Sequence, residues 1–205
     1  MRVIRHTLLL VAVAILAACG AAEPKWAPDA EVARSVYRDP TPPALTLYTV
    51  ISNKSGAGLH SALMVNAPSQ RAIFDPAGTF KHPHLPERND VIFGMSDAAV
   101  DFYIDYHARI TFRVVEQKIP VSPQVAELVL ARIQAYGAVP KANCANSISD
   151  ILKDVPGFSD APQTYFPNRL MAWMSTKPIT SSQTHYDNSP DDNDGMIYAP
   201  PLRLQ

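Results

Sequence analysis

Three side chains have the types that covalent acyl transfer requires: a thiol at Cys144, an imidazole at His60 and a carboxylate at Asp75. Cysteine attacks a carbonyl carbon as its thiolate, so it needs a setting that favours the anion and a base to take the proton. The base in turn needs a partner that fixes its orientation. Cys144 stands in "PKANCANSISDIL" (140–152). Asn143 is the natural N-cap of a short helix over 143–154, which puts Cys144 at the first helical position. There, unpaired amides and the helix dipole favour a thiolate. A buried core thiol is the alternative, because Ile148 and Leu152 recur on the same side at helical spacing. Position alone leaves both readings open.

His60 opens the strand-like "LHSALMVN" (59–66) after the glycine turn "KSGAG" (54–58), and Asp75 closes "RAIFD" (71–75). Two adjacent antiparallel strands bring the start of one and the end of its neighbour to the same edge of a sheet. That predicts His60 and Asp75 side by side, the carboxylate fixing the imidazole. Taken singly, His60 reads as a structural histidine and Asp75 as a turn former before Pro76-Ala77-Gly78. With a helix-capped cysteine downstream they form a coherent set.

The elements that must position these groups follow from periodicity. "ALTLYTVISN" (44–53) is β-branched and aromatic, as a strand should be. "PAGTFKHPHLPERND" (76–90) reads as a loop. In "SDAAVDFYIDYHA" (96–108), Ser96 is a plausible cap and Ala99, Phe102, Tyr103 and Tyr106 form a helical stripe. "RITFRVVEQKI" (109–119) alternates through Ile110, Phe112 and Val114 as a strand with one buried face. "SPQVAELVLARIQAYG" (122–137) has a cap at Ser122, Pro123 in its first turn, a stop at Gly137 and a core stripe of Val125, Leu128, Val129, Ile133 and Tyr136. "PNRLMAWM" (167–174) suggests a last helical turn or two. The expectation is one α+β domain over 44–175, a small antiparallel sheet packed with helices, followed by an irregular polar segment over 176–205.

Hydrophobic residues make up 47% of the 205-residue chain and charged residues 18%, which suits a folded domain and argues against disorder. A formal charge of −1 gives no basic face for nucleic acid. Residues 1–18 have the form of an export signal: Arg2 and Arg5, then an apolar run over Leu8–Leu16 too short to remain as a spanning helix. Leu16-Ala17-Ala18-Cys19 resembles a bacterial lipobox, which implies a diacylglycerol thioether on Cys19 as the mature N-terminus. The other reading is an ordinary secretory peptide with an incidental Cys19. Lipid on Cys19 would anchor the protein without a transmembrane helix, and Gly20 after the cysteine favours, by resemblance to sorting rules, the outer membrane facing the periplasm. Residues 19–43, rich in proline, read as the lipidated cysteine and a tether. With Cys19 acylated, Cys144 has no disulfide partner, and a lone thiol in an oxidising compartment must be buried or useful.

Together, "GLHSALMV", "RAIFDPAG" and "NCANSISDIL" resemble the circularly permuted, NlpC-like branch of the papain fold, which includes lecithin:retinol acyltransferase-like proteins. In that branch a histidine opens one strand, a polar residue ends the next and the cysteine comes last. The resemblance covers roughly residues 44–155 and implies a permuted papain-like topology. It gives Cys144 the role of nucleophile, His60 that of base and Asp75 that of orienting residue. Many relatives carry histidine or glutamate at the third position, so aspartate is a departure. The activity implied is that of a cysteine hydrolase or acyltransferase without a cofactor. An envelope location points to peptidoglycan amide bonds; the acyltransferase relatives point to a lipid ester or amide. A non-catalytic envelope scaffold is the reading from a different class.

Two other motifs fare worse. His82 and His84 in "KHPHLPER" lack further ligands at zinc-like spacing, and a solvated loop is expected there. "SPDDNDG" resembles a calcium loop, but aligning Gly195 with the loop glycine puts Pro190 and Pro201 at ligand positions. No metal site is expected.

Overall fold

A computed structural model describes residues 21–193. The expected export signal and lipobox cysteine therefore lie outside the described residues, as does Gly195. Among the described residues twelve elements follow in chain order: α1 (Asp29–Ser35), β1 (Ala44–Ser52), β2 (Gly58–Asn66), β3 (Arg71–Phe74), β4 (Glu87–Arg88), β5 (Val91–Phe93), α2 (Asp97–His107), β6 (Phe112–Pro120), α3 (Pro123–Tyr136), α4 (Cys144–Leu152), α5 (Pro167–Met174) and β7 (Ser181–Tyr186). The fold is α+β. All seven strands form one antiparallel sheet in the order β4-β5-β3-β2-β1-β6-β7.

The sheet carries apolar side chains on both faces, because successive strand residues point to opposite sides and both sides are covered. One face, with Leu45, Leu47, Leu63, Val65 and Phe74, packs against Val129, Ile133, Ile148, Leu152 and Leu170 of α3, α4 and α5. The other, with Tyr48, Val50, Ala62, Met64 and Ile73, packs against Ala99 and Tyr103 of α2. Among the described residues no helix is long and apolar enough to cross a membrane.

The capping expectations for α2 and α3 are met in detail. Ser96 Oγ accepts from the Ala99 amide, Ser122 Oγ accepts from the Val125 amide, and Gly137 ends α3 at φ 92°. The α3 stripe is rotated from the expected one. Ala126, Val129, Leu130 and Ile133 are buried, while Leu128 and Tyr136 are partly exposed.

Other expectations are corrected. Ile110 is exposed, since Arg109 and Phe112 close a turn there and β6 begins only at Phe112. The segment after Ser175 is not wholly irregular. Ser181–Tyr186 adds a strand to the outer edge of β6, in register from Lys118↔Ser181 to Arg113↔Tyr186. Its mostly polar residues face solvent, so no apolar alternation betrays it. Loop 76–90 yields β4, paired to β5. His82 is buried rather than solvated, with its ring 5.0 Å from that of Phe102 and its Nδ1 accepting from the His84 amide.

The proline-rich segment expected to be a free tether lies along the domain instead. Ala27 N donates to Glu87 O and Asn89 N to Lys25 O, Lys25 pairs with Glu87 at 2.8 Å, and Arg88 stacks on Trp26. α1 packs Val32 against the core, and its acidic first turn (Asp29, Glu31) and basic Arg34 suit the helix dipole. Buried Arg71 then ties this segment to the sheet. It contacts Asp39, donates to Asp97 at 2.7 Å and to Met95 O, and lies over the Tyr37 ring.

Candidate active site

β3 is short. On β2 it pairs only with Leu63–Asn66, so β2 runs on past it through His60, Ser61 and Ala62 with no strand on that edge. The chain leaves β3 at Phe74, and Asp75 lies directly beyond. His60 Nε2 meets Asp75 Oδ1 at 2.7 Å, as two neighbouring antiparallel strands predict. Asp75 is 3% exposed, and its amide donates to Asp90 O. The turn that follows is tight: Gly78 N donates to Asp75 O, and a Cβ on Gly78 would lie 1.9 Å from Asp75 Oδ2. Only glycine fits there without displacing the carboxylate.

Cys144 arrives from the other direction, at the start of α4, and fills the gap at the end of β3. It is a free thiol, 6% exposed. His60 interacts with its sulfur, and the amides of Ser61 and Ala145 are directed at it. With Nε2 committed to Asp75, Nδ1 is the His60 nitrogen left for the thiol. The expected cap differs in detail. The Asn143 side chain makes no capping bond and donates instead to Pro140 O and Lys141 O, rigidifying the approach to the helix. The Ala145 amide is thereby left to the sulfur.

Asp90 joins the two halves of this arrangement. Its Oδ2 accepts from Ala77 N at 3.3 Å and from Val139 N at 2.8 Å, tying the turn after Asp75 to the segment before Cys144.

Two residues of the site did not stand out in the sequence. Tyr103 donates its hydroxyl to Asp75 Oδ1 at 2.7 Å, sharing that oxygen with His60. His107, one turn later, lies parallel to His60, with ring centroids 5.8 Å apart and planes 10° apart. Tyr103 belongs to an apolar stripe and reads as core. The signal that it is more is the phenol, which seeks a partner when buried.

The electrostatics follow from burial and pairing. Desolvation pulls the His60 imidazolium down, but the Asp75 charge and hydrogen bond, with Cys144, outweigh it and hold His60 at about 10. Burial raises Asp75, yet His60 and the Tyr103 hydroxyl leave it below the ordinary carboxylate value. Burial also raises the Cys144 thiol. The hydrogen bond and charge of His60, then the Ser61 and Ala145 amides, reverse this and leave it below its ordinary value. Desolvation dominates at His107 and lowers it to about 4, so that ring is neutral. The arrangement favours a thiolate–imidazolium pair backed by a carboxylate. Comparison of the chain with protein-family models, curated proteins and solved structures finds no match.

Proposed function

We propose that the protein is a cysteine acyl-transfer enzyme of the cell envelope, built on a permuted papain-like topology. The observation that carries this reading is the meeting of Cys144, His60 and Asp75 at the open end of β3. The Cys144 thiolate attacks an acyl carbonyl, and the oxyanion forms beside the Cys144 amide, which has no intrahelical acceptor at the first position of α4. His60 gives its proton to the departing amine or alcohol, leaving a thioester on Cys144. Water, deprotonated by His60, then attacks the thioester; the acid leaves and the thiol takes back its proton. No cofactor is needed for these steps. Asp75 keeps the ring oriented and stabilises its cationic form.

The substrate we favour is a peptidoglycan amide bond, reached by a protein anchored through lipid on Cys19 at the outer membrane. A lipid ester or amide is the second reading, and one observation favours it. Ala21, Glu23 and Lys25 line a cavity of about 350 Å³ together with Ala77, Gly78, Val139 and Lys141, which flank Asp75 and Cys144. Only Gly20 separates Ala21 from Cys19, a reach of roughly 7 Å over two residue steps, so an acylated Cys19 would hold this side of the domain close to the bilayer. Incubation with peptidoglycan fragments and with phospholipid vesicles, using Cys144→Ala as control, tests both. Cys144-dependent cleavage of one substrate selects it. Cleavage of neither favours a non-catalytic scaffold.

A further inference from the structure

His107 is a half-buried imidazole that the acyl-transfer steps leave without a role. Its Nδ1 lies 2.8 Å from Tyr103 O. A carbonyl only accepts, so Nδ1 carries the proton and Nε2 presents a lone pair. A ring N–H anchored on a backbone carbonyl is the usual support of a metal-binding histidine, because it fixes the tautomer and aims the free nitrogen. Asp75 is supported in the same way by the Tyr103 hydroxyl, 2.7 Å from Oδ1. His60, Asp75 and His107 each offer one ligand atom, and all three atoms lie within 4.8 Å of one another. Among the described residues no other group of three histidine, cysteine, aspartate or glutamate side chains is placed to share an ion.

We propose that His60, Asp75 and His107 form a zinc site, occupied in competition with the proton that His60 and Asp75 share. Two imidazoles and a carboxylate are a donor set that zinc takes with a fourth position left to solvent. Ligand atoms around one tetrahedral zinc stand about 3.3 Å apart. His60 Nε2 and Asp75 Oδ1, now at 2.7 Å, need only separate slightly while the His107 ring closes in. The His60 side chain is 17% exposed, which gives the ion a way in. On binding, Zn²⁺ takes the place of the shared proton, which leaves to solvent, and no electrons move. The site and the proposed acyl transfer are alternative uses of His60, since zinc on Nε2 parts the base from the carboxylate that orients it.

Equilibrium dialysis of the full chain against Zn²⁺, with Cys19→Ser throughout to remove a second thiol, tests the site. Wild type is expected to hold one zinc, and Cys144→Ala to hold it as tightly. His107→Gln should weaken binding by more than about tenfold, and Tyr103→Phe by about tenfold, the scale of lost ligand support. Far-UV spectra and melting curves verify that each variant is folded. Zinc lost in Cys144→Ala but kept in His107→Gln would place the ion on the thiol and overturn the proposal, as would no stoichiometric zinc in wild type. The two readings fail separately. Absent substrate cleavage leaves the metal site standing, and absent zinc binding leaves the thiol chemistry standing.

Discussion

Replacing Asp75 with asparagine tests the reasoning about the thiol most directly. The substitution keeps the shape but removes the negative charge that holds His60 at about 10. Burial is the largest influence on that ring and pulls the other way, so without Asp75 only Cys144 is left to oppose it and His60 gives up its proton at lower pH. Cys144 then loses the charge that lowers it, and burial, the largest influence on the thiol, raises it instead. An ordinary thiol is only a few per cent thiolate at pH 7, so the reactive fraction drops, by at most roughly thirtyfold, the limit set by a fully ionised wild-type thiol. The thiolate that remains is intrinsically more nucleophilic, which recovers part of the loss and leaves a fall in rate of up to about tenfold.

The assay is the second-order rate of iodoacetamide alkylation from pH 5 to 10, with chelator present and Cys19→Ser in both proteins. Intact mass confirms a single label on Cys144. Comparing variant with wild type cancels the limited access to a sulfur on a residue 6% exposed. In wild type the rate should reach its plateau at lower pH than for an ordinary thiol; in Asp75→Asn its midpoint should move to higher pH. Equal midpoints and equal rates at pH 7 would refute the thiolate–imidazolium pair and leave Cys144 a core thiol.

Four further outcomes follow from the same contacts. Gly78→Ala must push its Cβ against Asp75 Oδ2, so denaturant unfolding should show a loss of about 1–3 kcal/mol, the cost of overpacking, with alkylation at pH 7 slowed towards the Asp75→Asn rate. Asp90→Ala unties the turn after Asp75 from the segment before Cys144 and should slow alkylation, whereas Asp90→Asn, which keeps an acceptor oxygen for both amides, should restore most of the rate. Arg71→Ala leaves buried Asp39 unpaired and should cost about 3–5 kcal/mol by denaturant midpoint, as for a broken buried ion pair. The His60–Asp75 pair also makes stability pH-dependent. The raised His60 contributes fully below 6.5 and its contribution is lost as pH rises through about 10, while the lowered Asp75 contributes above 3.8 and its contribution is lost at more acid pH. The melting temperature of wild type should therefore fall between pH 6.5 and 10 more steeply than that of His60→Ala, and equal slopes would remove the pair as the cause.

What was legible in the sequence were features stated locally by the chain. Ser96, Ser122, Pro123 and Gly137 mark helix ends by their own chemistry, and α2 and α3 begin and end where they say. The pairing of His60 with Asp75 was legible because adjacent strand ends must meet, whatever the rest of the sheet does. Features set by partners distant in the chain were not. β7 is polar and takes its strand form only from the open edge of β6. The 21–43 segment has no apolar repeat, and contacts of Lys25, Trp26 and Asp39 with β4 and Arg71 hold it down. Asn143 was expected to cap α4 because asparagine commonly does, but its side chain is oriented by Nδ2 donating to Pro140 O and Lys141 O, and it makes no capping bond. Tyr103 and His107 were hidden inside a stripe that also packs the core.

The length of β3 explains why these groups meet at all. His60 belongs to the face of β2 that carries Ala62 and Met64, which α2 covers, whereas α4 packs on the opposite face. A full-length β3 would pair with residues 59–62 and seal the edge between the faces. Ending β3 at Phe74 leaves the Ser61 amide and the His60 ring open to a sulfur arriving from the far face. It also turns the chain so that Asp75 drops against His60 from the α2 side, where Tyr103 holds it. Thiol and imidazole thus come from opposite layers of the fold, and the carboxylate comes from the turn that ends the short strand. Extending β3 by restoring pairing at that edge would separate Cys144 from His60 without altering either residue.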